Sequence, residues 1–317
     1  MSLPKSDYVS SIWRDGIFND KVVFCTGGAG TICSAQVRAL VHLGANAAII
    51  GRNVAKTESM ASSIATARAG ARVVGIGAVD VRSIDSLNRA VTRCVEELGA
   101  IDYVIAGAAG NFLAPITGLS ANAFKSVIDI DVLGSYNTLK ATLPQLLRSA
   151  SAASTASSDT TTTTSGRIIF ISATLHYAGT PLQAHVSVAK AGIDALSAAC
   201  ALEFGPRGLT SNVIAPGPIA ATEGLERLAS PASLARARSL VPVGRFGAVK
   251  DIADATVYLF SDAANFVNGE VLVVDGGSWR APSIYAADGD MQYPQIVLGA
   301  QMPAGAKSGR KETKAKL

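Results

Sequence analysis

Charge is scarce in this sequence, at 16% of 317 residues, well under the ~25% of an average soluble domain. What charge there is nearly cancels, because 28 Lys and Arg stand against 24 Asp and Glu for a net +4. Five basic residues and Glu312 fall within 301–317, so the rest of the chain carries 23 of each sign. A neutral body lacks the concentrated basic face that displaces counterions, which excludes a nucleic-acid-binding role. Cysteine is rare as well. Cys25, Cys33, Cys94 and Cys200 show no short paired spacing. They read as buried free thiols, neither a disulfide framework nor a metal site. No apolar run approaches ~18 residues, so no transmembrane helix is expected. The opening MSLPKSDYVSSIWRDG has no apolar signal core, and a soluble, unsecreted chain is the expectation.

What is present is aliphatic. Hydrophobic residues make up 49% although aromatics reach only 6%, enough to bury a large core and exclude disorder over most of the length. Short runs rich in Val and Ile recur at 21–25, 47–51, 72–77, 101–107, 167–172, 210–215 and 270–275. They do not alternate, as strands covered on both faces should not. Between them, stretches such as SAQVRALVHLG and SIDSLNRAVTRCVEELG carry apolar residues at i, i+3, i+4 and i+7 and end in Gly. The expected fold is α/β, one doubly wound parallel sheet of seven strands with helices on both faces. It should span 18–282 after an extension at 1–17. Residues 149–165 hold 12 Ser or Thr among 17, which reads as a mobile surface insertion. A Pro- and Ala-rich segment at 218–240 leaves the sheet's carboxyl edge and is a candidate substrate lid. Residues 283–317 read as an irregular tail.

The first strand runs into TGGAG (26–30) and then a helix. Glycines there allow a tight turn and close approach of a pyrophosphate, whose charge the helix N-terminus stabilises. Cys33 stands where the last glycine of a dinucleotide fingerprint would be. The second strand ends Gly51-Arg52-Asn53 instead of in the acid that accepts from a ribose 2′-hydroxyl. An arginine suits a 2′-phosphate, so NADPH is the expected cofactor. Asp80, ending the third strand, suits either an adenine amino group or a plain strand-end turn.

TGGAG, GAAG (107–110), Lys190 before AGIDAL, IAPGPIAATEG (214–224) and VLVVDGG (271–277) together resemble the short-chain dehydrogenase/reductase family. Within it, TGGAGTIC, GAAGNF (107–112), HVSVAKAGIDAL (185–196), PGPIAATEGLERL (216–228) and VLVVDGGSW (271–279) resemble the peroxisomal 2,4-dienoyl-CoA reductase branch. That likeness implies cofactor contacts at Gly27, Gly28, Gly30, Thr31, Ile32, Arg52, Asn53, Asp80, Val81, Ala108, Lys190, Pro216, Gly217 and Ile219. It also implies a homodimer or homotetramer acting on an acyl-CoA.

Departures from the wider family bear on the reaction. Its alcohol dehydrogenases use Asn, Ser, Tyr and Lys, with Tyr four before Lys and Ser thirteen before Tyr. Counting back from Lys190 puts Val186 in the tyrosine place and Ala173 in the serine place, while Asp131 holds the asparagine place. Valine and alanine cannot protonate a carbonyl oxygen, so ordinary ketone reduction is not expected. Reduction of a conjugated dienoyl thioester instead needs donors for a dienolate oxygen and a proton for carbon. Asn111 suits the first task or a simple turn, and with Phe112 it is the expected substrate contact. In this branch Asp131 and Asp275 would hold the protonating water, with Lys190 on the nicotinamide ribose, although Asp275 before Gly276-Gly277 also suits a turn. Mitochondrial members place a tyrosine donor where Leu175 stands, beside His176 and Tyr177, and His185 is characteristic of the peroxisomal branch. The terminus Ala315-Lys316-Leu317 resembles an address read by a peroxisomal import receptor, implying the peroxisomal matrix. An NADPH-dependent 2-enoyl-CoA reductase and an inactive NADPH-binding module are the alternatives.

Overall fold

Each Val/Ile-rich run is a strand. The computed structural model describes residues 3–156, 166–222 and 237–281. Its strands are β1 (Val22–Thr26), β2 (Asn46–Ile50), β3 (Val73–Ile76), β4 (Tyr103–Ala106), β5 (Gly166–Ile171), β6 (Leu209–Pro216) and β7 (Val271–Val274). They form one sheet in the order β3-β2-β1-β4-β5-β6-β7, with every neighbouring pair parallel. The main helices are α1 (Thr31–His42), α2 (Val54–Ala65), α3 (Ile84–Leu98), α4 (Ala121–Ile128), α5 (Gly134–Ala156), α6 (Leu175–Ala178), α7 (Ala184–Phe204) and α8 (Val249–Phe260).

The strands do not alternate because helices cover both faces. On β1 all five residues are buried. Val23 and Cys25 pack in one layer with Leu40 of α1 and Val257 and Phe260 of α8. Val22 and Phe24 pack in the other with Leu87 of α3, Leu146 of α5 and Ile193 of α7. Strand order reverses at β1, whose neighbours β2 and β4 feed helices on opposite faces. A crevice opens there at the carboxyl edge, the usual ligand site of such sheets.

Residues before β1 form part of this body. Tyr8, Val9 and Phe18 are buried in the first layer. Asp254 of α8 accepts from the Ser10 N–H, the Ser10 hydroxyl, the Trp13 indole and Lys250. The Ser/Thr-rich segment also differs in part from expectation. Its first half, 149–156, continues α5, in keeping with the high helix propensity of its alanines. Residues 157–165, the centre of the expected lid at 223–236, and the tail from 282 lie outside the described residues.

The missing third glycine of the fingerprint is compensated across the helix–sheet contact. That glycine ordinarily lets helix and strand pack closely. Here Cys33 of α1 sits 3.9 Å from the carbonyl of Gly107, just past β4. A Cβ on Gly107 would overlap the Cys33 sulfur. Gly107→Ala should therefore cost about 1–3 kcal/mol in denaturant unfolding, the scale of overpacking. In a Cys33→Gly background most of that cost should vanish, and an equal cost in both backgrounds would contradict the compensation.

Candidate active site

The glycine turn after β1 is shaped by what surrounds it. Gly27 has φ +68°, a conformation costly for side-chain-bearing residues. A Cβ there would come 2.7 Å from the Gly107 carbonyl oxygen, and one on Gly28 would come 2.6 Å from Cβ of Ile49. Gly30 caps α1 without any side-chain hydrogen bond. First-turn N–H groups, those of Thr31 and Ile32 among them, are left for a ligand. Two cavities that share lining residues border this turn. One of about 490 Å³ is lined by Gly27, Gly51, Arg52, Asp80, Val81, Ala108 and Ile130, among others. The other, about 1320 Å³ and more open, is lined by Gly27, Gly30, Arg52, Asn53 and Lys56, among others.

These walls fit a dinucleotide. Backbone can approach the ligand where no Cβ could stand, and an exposed guanidinium, that of Arg52, borders both cavities. Asn53 has a second task, since its side chain accepts from the Lys56 N–H at 2.9 Å and so starts α2. Asp80 is gripped by Arg82 through both carboxylate oxygens, at 3.0 Å from Nε to each. That hydrogen-bonded guanidinium holds its carboxyl below the usual range. The Asn137 amide donates to the Val81 carbonyl at 3.0 Å and so fixes the β3 exit. Lys56 and Arg82 were not singled out in the sequence. Lys56 carried one signal, a basic residue one turn after Arg52.

Lys190 and Asp131 meet in the interior. Asp131 lies in a π-helical turn, Asp129–Leu133, between α4 and α5. Such turns insert one residue and redirect side chains, and they recur at functional sites. Asp131 is 0% exposed and Lys190 5%. Their Oδ2 and Nζ are 2.9 Å apart. The other Asp131 oxygen accepts from the Gly110 N–H at 2.7 Å, and Lys190 also donates to the Ile171 carbonyl at 3.1 Å. Each buried charge thus has its counter-charge and a further hydrogen bond, as burial requires.

The tyrosine place is apolar. Val186 packs with Val127 and Ala189, against Phe112, Val132 and Leu175. Ala173 offers no hydroxyl, and that of the adjacent Ser172 is turned to the Lys190 carbonyl at 3.4 Å. Asn111 is exposed at the mouth of the loop after β4. Its neighbour Phe112 stacks on His185, with ring centroids 4.2 Å apart.

Asp275 follows β7 as a turn residue. Its two oxygens accept from the N–H groups of Gly277 (2.8 Å) and Trp279 (2.7 Å). Its Cβ also takes the space a side chain on Gly217 would need, so the ends of β6 and β7 lie together beside Pro216. Among the described residues no hydrogen bond joins Asp275 to Asp131. Ile219 is buried and bridges to Gly247. His176 sits 2.8 Å from Asp194, and Tyr177 packs between His176 and Trp279, at 4.3 and 5.0 Å between centroids. Burial, then the Asp194 carboxylate, push the Tyr177 phenol up to about 12. Asp194 and Trp279 had no sequence signal beyond their motifs.

Comparison with known proteins agrees with this geometry. A family profile described as enoyl-(acyl carrier protein) reductase matches residues 27–278. The peroxisomal 2,4-dienoyl-CoA reductase of Saccharomyces cerevisiae, named as (3E)-enoyl-CoA-producing, is 49% identical over 90% of this chain and 92% of its own. The Danio rerio protein of the same description is 38% identical over 84% of each. Among solved structures, a short-chain dehydrogenase from Bacillus anthracis superposes with a TM-score of 0.69 at 31% identity, covering 82% of this chain and 96% of that one. Levodione reductase gives 0.75 at 25% identity, covering 84% and 100%. The nucleotide-binding sheet, the glycine turn and the buried lysine are thus those of a nicotinamide-dependent oxidoreductase, and the chain belongs to the short-chain dehydrogenase/reductase family.

Proposed function

We propose that this chain reduces 2,4-dienoyl-CoA to 3-enoyl-CoA with NADPH, in peroxisomes. One observation carries the reaction class. Val186 and Ala173 leave no phenol or hydroxyl where the family's ketone reductases keep their acid, while a buried carboxylate, Asp131, pairs with the lysine. Such a site cannot protonate a carbonyl oxygen in the usual way, yet it suits charge that spreads along a conjugated thioester and ends in protonation of carbon. The names of the relatives supply the substrate and the compartment. Ala315-Lys316-Leu317 is the segment that fits an import receptor.

The dinucleotide, when bound, supplies a hydride. Gly27, Gly28, Gly30 and the first turn of α1 would hold its pyrophosphate, and Arg52 its 2′-phosphate, with Asp80, Val81 and Ala108 lining the adenosine side and Pro216, Gly217 and Ile219 the nicotinamide side. Lys190 binds the ribose hydroxyls, and its charge favours an anion forming nearby. The Asn111 amide donates to the thioester oxygen, beside Phe112. Asp131 and Asp275 hold the water that protonates carbon. Asp275 keeps lone pairs for this task, because a carboxylate offers about four acceptor sites and the turn uses two. Exposed Val188 and Leu202 on α7 and Tyr136 on α5 support a homodimer or homotetramer.

Incubation with NADPH and a 2,4-dienoyl-CoA, followed by loss of cofactor absorbance and location of the remaining double bond, tests the reading. The expected product is the 3-enoyl thioester. A 2-enoyl product would indicate a different proton delivery, and no turnover would favour an inactive binding module. Cofactor choice has its own outcome. Arg52→Ala should weaken NADPH binding by about 1.5–3 kcal/mol, the range for hydrogen bonds to charged groups, with little change for NADH. Equal losses in titrations of both cofactors would remove Arg52 from the phosphate site.

A further inference from the structure

We propose that His185 is a positioning residue for this reaction, fixing the backbone just after Asn111 so that its amide is presented to the thioester in one orientation. The inference rests on the dienoyl-CoA reading above and adds a residue to it. His185 is fully buried at the start of α7. Its Nε2 lies 3.1 Å from the Phe112 carbonyl oxygen. A carbonyl can only accept, so Nε2 is the donor in this contact. The same imidazole stacks on the Phe112 ring at 4.2 Å with 27° between planes. One side chain therefore holds both the backbone and the ring of the residue after Asn111.

The residue before Asn111 is held as firmly. The Gly110 N–H donates to Asp131 at 2.7 Å. Beyond Phe112, the Ala114 N–H donates to the Leu182 carbonyl at 2.9 Å. Asn111 itself is exposed. A pinned backbone with a solvent-facing amide is the arrangement of a presented donor, since a packing residue would be turned inward. It also couples two parts of the site, because the carboxylate that meets Lys190 is the one that restrains Gly110.

The choice of histidine points the same way. A leucine would fill this space without burying a polar atom. The imidazole instead leaves Nδ1 buried with no partner among the described residues, an arrangement that ordinarily carries a desolvation cost. Such a cost is tolerated where a site needs the geometry. The adjacent Val186 packs in the cluster that Phe112 covers. The loop that supplies the amide thus rests on the very position where the family's phenol is missing.

The test is a double-mutant cycle in the full chain, with NADPH and a 2,4-dienoyl-CoA. Wild-type turnover is read first, and its absence would sink the functional reading itself. Given turnover, His185→Leu and Asn111→Ala should each lower kcat by about tenfold or more, with NADPH affinity within about twofold. Because His185 acts through Asn111, the double variant should be at most about twofold slower than the slower single variant. His185→Gln, whose amide can reach the carbonyl, should recover part of kcat. Multiplied losses, or near-wild-type kcat in a folded His185→Leu protein, would overturn the proposal. Should melting show His185→Leu unfolded, the cycle of Phe112→Leu with Asn111→Ala decides in the same way, with multiplied losses again overturning it.

Discussion

The active side of this molecule depends on one buried ion pair. Asp131 and Lys190 bring together the π-helical turn after α4, the start of α7, the end of β5 through Ile171, and the loop after β4 through Gly110. Removing two such charges from water costs several kcal/mol per ion, and mutual attraction offsets it only when the remaining hydrogen-bonding sites are filled. Gly110 and Ile171 each supply one further hydrogen bond. Losing either partner would leave a bare buried charge, a penalty of about 3–5 kcal/mol. The contacts proposed to carry the chemistry are therefore also those that hold the packing together.

On the other side of β1 the proposed cofactor cleft rests on backbone and local charge. The body of the chain is neutral, so an anionic ligand is attracted locally. The glycine turn brings uncapped N–H groups close, and Arg52 adds charge at the neighbouring strand end. The two halves meet at the β4 exit. Gly107 makes room for Cys33 beneath the nucleotide turn, and three residues later Gly110 is tied to Asp131. Substitutions in this short segment should therefore be felt by both ligands.

The fold was legible because covered strands leave a simple mark, runs of Val and Ile with no alternation, and all seven runs are strands. Asp131 was legible as an acid in an apolar helix, which must find a partner. Its pairing with Lys190 was not, because the residues lie 59 positions apart and meet only through the π turn. The docking of the N-terminal extension on the sheet's first layer was hidden for another reason. Its anchor, Asp254, lies far along the chain, and polar contacts of that kind have no period to read. The helical continuation over 149–156 was masked by the composition of the whole segment 149–165, where 12 of 17 residues are Ser or Thr. His185 was visible as an isolated histidine, but its grip on Phe112 needed three dimensions.

The central claim is that a buried carboxylate, acting where relatives in alcohol chemistry carry asparagine, governs proton delivery to carbon. Turnover of Asp131→Ala with saturating NADPH and dienoyl-CoA tests it most directly, with a melting curve to show that the protein is folded. The account predicts a loss in kcat of about 10²–10⁴-fold, the scale of a lost general acid, exceeding any loss of NADPH affinity. Asp131→Asn should lose less, since its amide still hydrogen-bonds water. Near-wild-type turnover in a folded Asp131→Ala protein would contradict the account.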